Sequence, residues 1–234
     1  IAALAFLINV MDAIVDEKSR SVVMLFLGVV FILTLFVANF SALSQRNSKR
    51  LMAYSSVTHS AYLLVGVIAY SHTGVEAAMY YSTIYLFLNF TGFYLIEIFI
   101  RITSDEQIKS FSGLGVKYPT LGVLTVLTMI GLTGLPPTVG FMGKVYLFVA
   151  VWEHPLFEFN NIYFWVLVLG LVNVAIALFY YLRIPFYMFF RKQEKEFKES
   201  ETAYQKILTV ILSLPILILF FFNDWIFGLI HLFI

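Results

Sequence analysis

Lys144 stands in the run Thr120 to Val151, an apolar stretch interrupted only by Gly-Leu-Pro-Pro, Gly134 to Pro137. A primary amine can take up and release a proton. In the middle of a membrane helix a lysine costs roughly 2.5–3.5 kcal/mol on insertion scales, and such residues face a bundle interior or a water-filled path. That points to transport of an ion or proton. His59 lies in a second apolar run with Ser55, Ser56, Thr58 and Ser60 beside it. Its ring titrates nearest to neutral pH, which suits a proton relay, and the hydroxyls suit an interhelical hydrogen-bonded contact equally well. Glu97 precedes Arg101 by four residues, the spacing of a same-face ion pair on a helix. Arg183, in Tyr-Tyr-Leu-Arg-Ile-Pro, reads as a span end turning at Pro185 into an interfacial helix, with the guanidinium at headgroups or a carboxylate.

Other chemistries lack their signatures. The chain has no phosphate-cradling glycine loop, no zinc-ligand spacing and no serine nucleophile constellation. Cysteine is absent, which excludes disulfides and thiolate sites. His59, His72, His154 and His231 are scattered singly, so no cofactor and no metal site is expected in this chain.

The elements that must position Lys144 are membrane helices. Of 234 residues, 61% are hydrophobic and 12% charged, against about half and about a quarter in a soluble domain. A net charge of +1 gives no reason to expect nucleic acid as a partner. A span needs about 20 apolar residues. The candidates are 1–15, 21–43, 51–70, 75–100, 120–151, 162–190 and 204–232, the first a partial helix because the chain starts within an apolar run without a methionine or a charged leader. The fold class expected is therefore all-α: a polytopic transmembrane bundle, here the C-terminal part of a longer protein. Its units are 1–15, the end of a truncated helix; 21–190, a repeat of five spans; 191–203, a loop of mixed charge; and 204–232, a last span.

Every second loop region is basic: +3 near 46–50, +1 from Arg101 to Lys117, and +2 from Arg183 to Lys206, around the loop 191–203. The positive-inside rule puts these in the cytoplasm and the C-terminus on the other side. The run 120–151 would be about 48 Å long as one helix, against a hydrocarbon layer of about 30 Å. Pro136 and Pro137, without amide donors, and the flexible Gly131 and Gly134 should break it and free backbone carbonyls, making Gly134, Pro136 and Pro137 a structural hinge. Broken membrane helices are where transporters build their sites. Snorkelling to an interface is the competing reading for Lys144, but Val145 to Val151 keep it about 10 Å from the next loop.

Two segments resemble a known family. Ala42-Leu-Ser-Gln-Arg-Asn-Ser-Lys-Arg-Leu-Met-Ala-Tyr-Ser-Ser-Val-Thr-His-Ser-Ala-Tyr-Leu-Leu-Val-Gly66 and Gly131-Leu-Thr-Gly-Leu-Pro-Pro-Thr-Val-Gly-Phe-Met-Gly-Lys-Val-Tyr-Leu-Phe148 are similar to the antiporter-like membrane subunits of NADH:quinone oxidoreductase, respiratory complex I, and within them to subunit N (subunit 2). The sister subunits L and M depart from the pattern around Lys144. The resemblance implies an inverted-repeat antiporter-like fold, of which this chain holds the second repeat, with its discontinuous helix, and the last helix. It also implies that Lys144 belongs to a proton-relaying polar axis and that His59 lies near it. Glu97 has no expected counterpart.

The implied function is a proton-translocating subunit of a redox-driven translocase. NADH, FMN, iron–sulfur clusters and quinone would reside in the rest of the complex, and the partners would be other membrane subunits and the bilayer of a bacterial inner membrane. The competing readings are a subunit of a Mrp-type cation/proton antiporter and a non-pumping structural membrane subunit.

Overall fold

The computed structural model describes residues 2–16, 19–155, 157–158, 161–192, 197 and 201–230. Its described residues form helices α1 (Ala2–Ile14), α2 (Arg20–Ser44), α3 (Ser48–Ile68), α4 (His72–Thr103), α5 (Leu114–Lys117), α6 (Pro119–Thr133), α7 (Val139–Trp152), α8 (Ile162–Phe190), α9 (Ala203–Phe221) and α10 (Asp224–Ile230), with a 3-10 turn at Ile108–Phe111. Five of them, α2, α3, α4, α8 and α9, are long and apolar enough to cross a membrane. Local chemistry starts several: Asn47 caps α3, Ser71 caps α4, Asn161 caps α8, and Thr202 with Gln205 forms a capping box on α9.

The helices bury polar and small residues and turn apolar ones outward. On α2, Phe31, Leu35, Asn39 and Ala42 face the bundle, while Phe26, Leu33, Val37 and Phe40 are exposed. Outward apolar residues on α2, α4, α8 and α9 are the pattern of a protein solvated by lipid. Two buried clusters fill the interior. One lies around Tyr62, Tyr80, Tyr81 and Leu147, the other around Leu51, Phe99, Tyr180 and Ile184.

The run 120–151 is two helices. α6 and α7 have 15 and 14 residues, about 22 Å each at 1.5 Å per residue, so neither crosses alone. Residues 134–138 separate them. The loops 45–47 and 104–113, from the regions around Arg46 and Lys109, lie at one end, stitched by Ser48 N–H to the Glu106 carbonyl and Ile108 N–H to the Arg46 carbonyl, both 2.9 Å. Arg20 and His154 meet at the other end, 3.3 Å apart.

Two details, at Arg183 and in the segment 204–232, differ from expectation. α8 runs unbroken through Pro185 to Phe190, and Arg183 donates to the carbonyls of Leu43 and Gln45 at the end of α2, so no interfacial helix begins at Pro185. The segment after α4 is packed inward, because Ile108, Phe111 and Leu114 supply an apolar face that is fully buried. The segment 204–232 holds α9 and the separate α10. Polar Asn223 interrupts it and donates to the Tyr146 hydroxyl at 2.7 Å. Most of 191–203 and residues 231–232 lie outside the described residues.

Candidate functional site

The break between α6 and α7 follows from the positions of its prolines. In a continuous helix the carbonyls of Leu132 and Thr133 would accept from the N–H groups of residues 136 and 137. Both are proline, so both acceptors are orphaned. Gly134 ends α6 in the left-handed region, φ +84°, with its N–H on the carbonyls of Ile130 and Gly131. α7 then starts close enough for its Gly140 to press on α6: a Cβ there would stand 1.9 Å from the Gly131 carbonyl oxygen.

Lys144, at 4% exposure, fills the gap. Its Nζ donates to the Thr133 carbonyl at 2.6 Å and the Leu132 carbonyl at 3.1 Å, the two acceptors the prolines leave open. The amine also lies 4.9 Å from the centroid of the Tyr62 ring on α3, a cation–π arrangement. Among the described residues no carboxylate pairs with it. Two backbone carbonyls and one aromatic face hold an amine that has left water.

His59, on α3, is buried as well. Its Nδ1 lies 2.7 Å from the Tyr81 hydroxyl of α4 and its Nε2 lies 3.0 Å from the Tyr181 hydroxyl of α8, and its ring stacks on Tyr85 at 4.5 Å. Tyr181 in turn hydrogen-bonds Ser55, one turn before His59 on α3. Each hydroxyl can donate and accept, so the row Tyr81, His59, Tyr181, Ser55 is a chain of exchangeable protons. No hydrogen bond joins Lys144 to His59 directly. Tyr62 stands between them, its ring 6.5 Å from His59 and its hydroxyl donating to the Gly170 carbonyl at 3.0 Å.

A second buried polar group lies next to this row. Asn39 of α2 donates to Asn173 of α8 at 2.7 Å and accepts from Tyr180 at 2.9 Å and Thr58 at 3.3 Å. Sequence reasoning missed Asn39, Asn173 and the five tyrosines, Tyr62, Tyr81, Tyr85, Tyr180 and Tyr181. The amides carried the same signal as Lys144, a lone polar residue in an apolar run. Tyr62 and Ser55 share a helix face with His59 by spacing. Tyr81 and Tyr181 come from other helices and carry no local sign.

Glu97 forms an ion pair with Lys49 of α3 at 3.2 Å at the surface, away from this interior. Among the described residues no cluster of three or more His, Asp or Glu side chains could hold a metal ion.

Comparison with known proteins gives the family and the fold. The chain is 40% identical over 162 residues to NADH-quinone oxidoreductase subunit N of Anaeromyxobacter sp. (strain Fw109-5), covering 69% of this chain and 31% of the relative. A chain of respiratory complex I from Thermus thermophilus with bound aureothin superposes with a TM-score of 0.69 at 26% identity, covering 86% of this chain and 44% of that one. A chain of the Mrp complex from Dietzia sp. DQ12-45-1b shares the fold, with a TM-score of 0.79 at 17% identity over 96% of this chain and 49% of that one. The chain therefore spans less than half the length of each of these relatives. The family described as NADH:quinone oxidoreductase/Mrp antiporter, transmembrane, matches residues 1–176, and the chain belongs to it.

Proposed function

We propose that this chain is part of a proton-translocating membrane subunit of an NADH:quinone oxidoreductase, with Lys144 as the proton-carrying group. The observation that carries the reading is the seat of Lys144 on the two carbonyls orphaned by Pro136 and Pro137. Burial penalises the ammonium form, while two carbonyl acceptors and the C-terminal end of α6 favour it. Such opposed terms let a small displacement of one half-helix change the protonation of the amine. Gly134, Pro136 and Pro137 are the positions at which the half-helices would move.

His59, with Tyr81, Tyr181 and Ser55, would pass protons between Lys144 and the end bearing the basic loops, since Ser55 lies on the side of His59 nearer Asn47. By the positive-inside rule that end faces the cytoplasm and the C-terminus lies on the opposite side. Redox chemistry, with NADH, FMN, iron–sulfur clusters and quinone, would belong to other subunits, and neighbouring membrane subunits would be the partners. The name shared by the relatives, subunit N of NADH-quinone oxidoreductase, supports this over the Mrp reading. Co-purification separates the two: flavin and iron–sulfur subunits belong to the first, membrane subunits alone to the second.

The test is Lys144→Met in the full-length subunit within its assembled complex. Inverted membrane vesicles should oxidise NADH yet translocate fewer protons per electron. An unchanged proton-to-electron ratio in a fully assembled complex defeats the proposal and leaves a structural spacer.

A further inference from the structure

The end of the bundle carrying the basic loops holds a cavity of about 470 Å³ lined by Arg46, Gln107, Ile108, Lys109, Arg183 and Tyr187. Three of the six are cations, and none is a carboxylate. The carboxylates nearby in sequence are engaged elsewhere. Glu106 accepts from Asn47 at 2.7 Å and pairs with Lys49, Glu97 pairs with the same lysine, and Asp105 accepts from Ser110 at 2.6 Å and from the Gln107 amide at 3.0 Å. Among the described residues, Arg46 and Lys109 have no ion-pair partner. Arg183 has five N–H donors and gives two guanidinium nitrogens to the carbonyls of Leu43 and Gln45, so its charge is fixed in place but not cancelled.

The walls are rigid where it matters. Arg46 and Lys109 sit on two strips of chain joined by the antiparallel bridge between Asn47 and Gln107. Tyr187 follows Arg183 by one helical turn on α8. Phe186 and Phe190 lie on the same stripe, at three and seven residues from Arg183, and are 45% and 78% exposed. A phosphate-sized anion thus has guanidinium, ammonium, amide and phenol donors on one side and an exposed apolar stripe beside it.

We propose that this cavity binds the phosphate of an anionic phospholipid whose acyl chains lie along Phe186 and Phe190 of α8. Guanidinium groups recognise phosphate through paired N–H donors, and basic pockets between membrane helices take lipid headgroups. The lipid, rather than a free anion, is the occupant because the charge stands next to a lipid-facing aromatic stripe. Each basic residue contributes roughly five-fold to the affinity for an anionic lipid surface.

The experiment uses the full-length subunit in its complex, reconstituted into vesicles doped with photoactivatable phosphatidylglycerol or phosphatidylcholine, at constant ionic strength. Peptides containing Arg46, Lys109 or Arg183 should be labelled at least about five-fold more by the glycerol lipid. Arg46→Gln with Lys109→Gln should lower the preference by more than about ten-fold, leaving what Arg183 alone supports, and Lys109→Gln alone, on an exposed turn, should lower it about five-fold and serves if the double variant fails to assemble. Equal labelling in the unaltered complex, or a preference unaffected by Lys109→Gln, overturns the proposal. Loss of the preference on adding inorganic phosphate, with sodium chloride of equal ionic strength inert, also overturns it and identifies a free anion as the ligand.

Discussion

Replacing Gly134 by alanine perturbs Lys144 without touching a titratable group. The added Cβ would stand 2.8 Å from Lys144 Cδ and 3.1 Å from its Nζ. Carbon atoms in ordinary contact lie about 3.5–4.0 Å apart, so the lysine side chain must withdraw by about 0.7 Å or more. That displacement takes the 3.1 Å bond to the Leu132 carbonyl out to about 3.8 Å, beyond hydrogen-bonding range. A hydrogen bond from a charged donor is worth about 1.5–3 kcal/mol. Since 1.4 kcal/mol is a factor of ten, the balance between held and released lysine shifts by about ten- to hundred-fold. The backbone adds a separate cost of about 1–2 kcal/mol, because φ is +84° and alanine, unlike glycine, is strained there.

The assay is proton translocation per electron in inverted vesicles, with NADH oxidation and complex assembly measured on the same preparation. Gly134→Ala should lower the ratio while assembly and electron transfer persist. Gly228→Ala is the control, since a Cβ there meets nothing within 4 Å. A thermodynamic cycle separates the two costs. In a Lys144→Ala background the clash is gone, and Gly134→Ala should cost only the backbone strain, about 1–2 kcal/mol in thermal stability. An unchanged proton-to-electron ratio in Gly134→Ala would refute the argument that the lysine's seat on the α6 carbonyls is part of the relay.

Gly140→Ala should be far more damaging. Its Cβ would meet the Gly131 carbonyl oxygen at 1.9 Å, and backbone cannot move aside as a lysine side chain can, so we expect a loss of about 3 kcal/mol or more and failed assembly on native gels. Tyr181→Phe removes one hydroxyl from both His59 and Ser55 in a buried site, at a cost of about 1–3 kcal/mol, and should slow proton translocation more than it lowers the melting temperature. His154, beyond the end of α7, has its pKa lowered by burial and by the charge of Arg20. The folded state therefore favours the neutral ring. Its contribution to stability is complete above the unfolded value of about 6.5 and is lost as pH falls below that toward the lowered folded value. Protection factors of the Glu153 and His154 amides, taken relative to intrinsic exchange at each pH, should fall as pH drops across that window, and His154→Gln should abolish this pH dependence.

Much of the architecture was legible because a membrane helix is specified by a local property. Five of the seven apolar segments of the chain hold one helix each, 120–151 is broken where length and proline content said it must be, and 204–232, expected as one span, is interrupted at Asn223. Lys144 was legible for the same reason: one charge in an apolar run is visible without any knowledge of the fold. Its partners were half legible. That Pro136 and Pro137 free carbonyls follows from the residue type, but that Lys144 receives them depends on α7 turning back against the end of α6, which the Gly131 and Gly140 contact makes possible. The partners of His59 were not legible. Tyr81 and Tyr181 lie 22 and 122 positions away and are three-dimensional neighbours set by helix packing. Arg183 misled for a related reason, since a proline after an arginine reads as a span end until α2 is seen to present its terminal carbonyls to that guanidinium.

The nature of the acceptors bears on what kind of relay Lys144 can be. A carboxylate partner would hold the ammonium by charge, and separating the two in a low-dielectric interior would cost several kcal/mol. Carbonyl dipoles hold it more weakly, and their strength depends on distance and direction, both set by the angle between α6 and α7. In the proposed relay the protonation of Lys144 is thereby tied to backbone geometry. The hydroxyls around His59 add no fixed charge and can transfer a proton in either sense. Direction would then be imposed by whichever end of the chain of groups is open to water when the half-helices shift, so a single break in a helix can both hold the proton and decide where it goes.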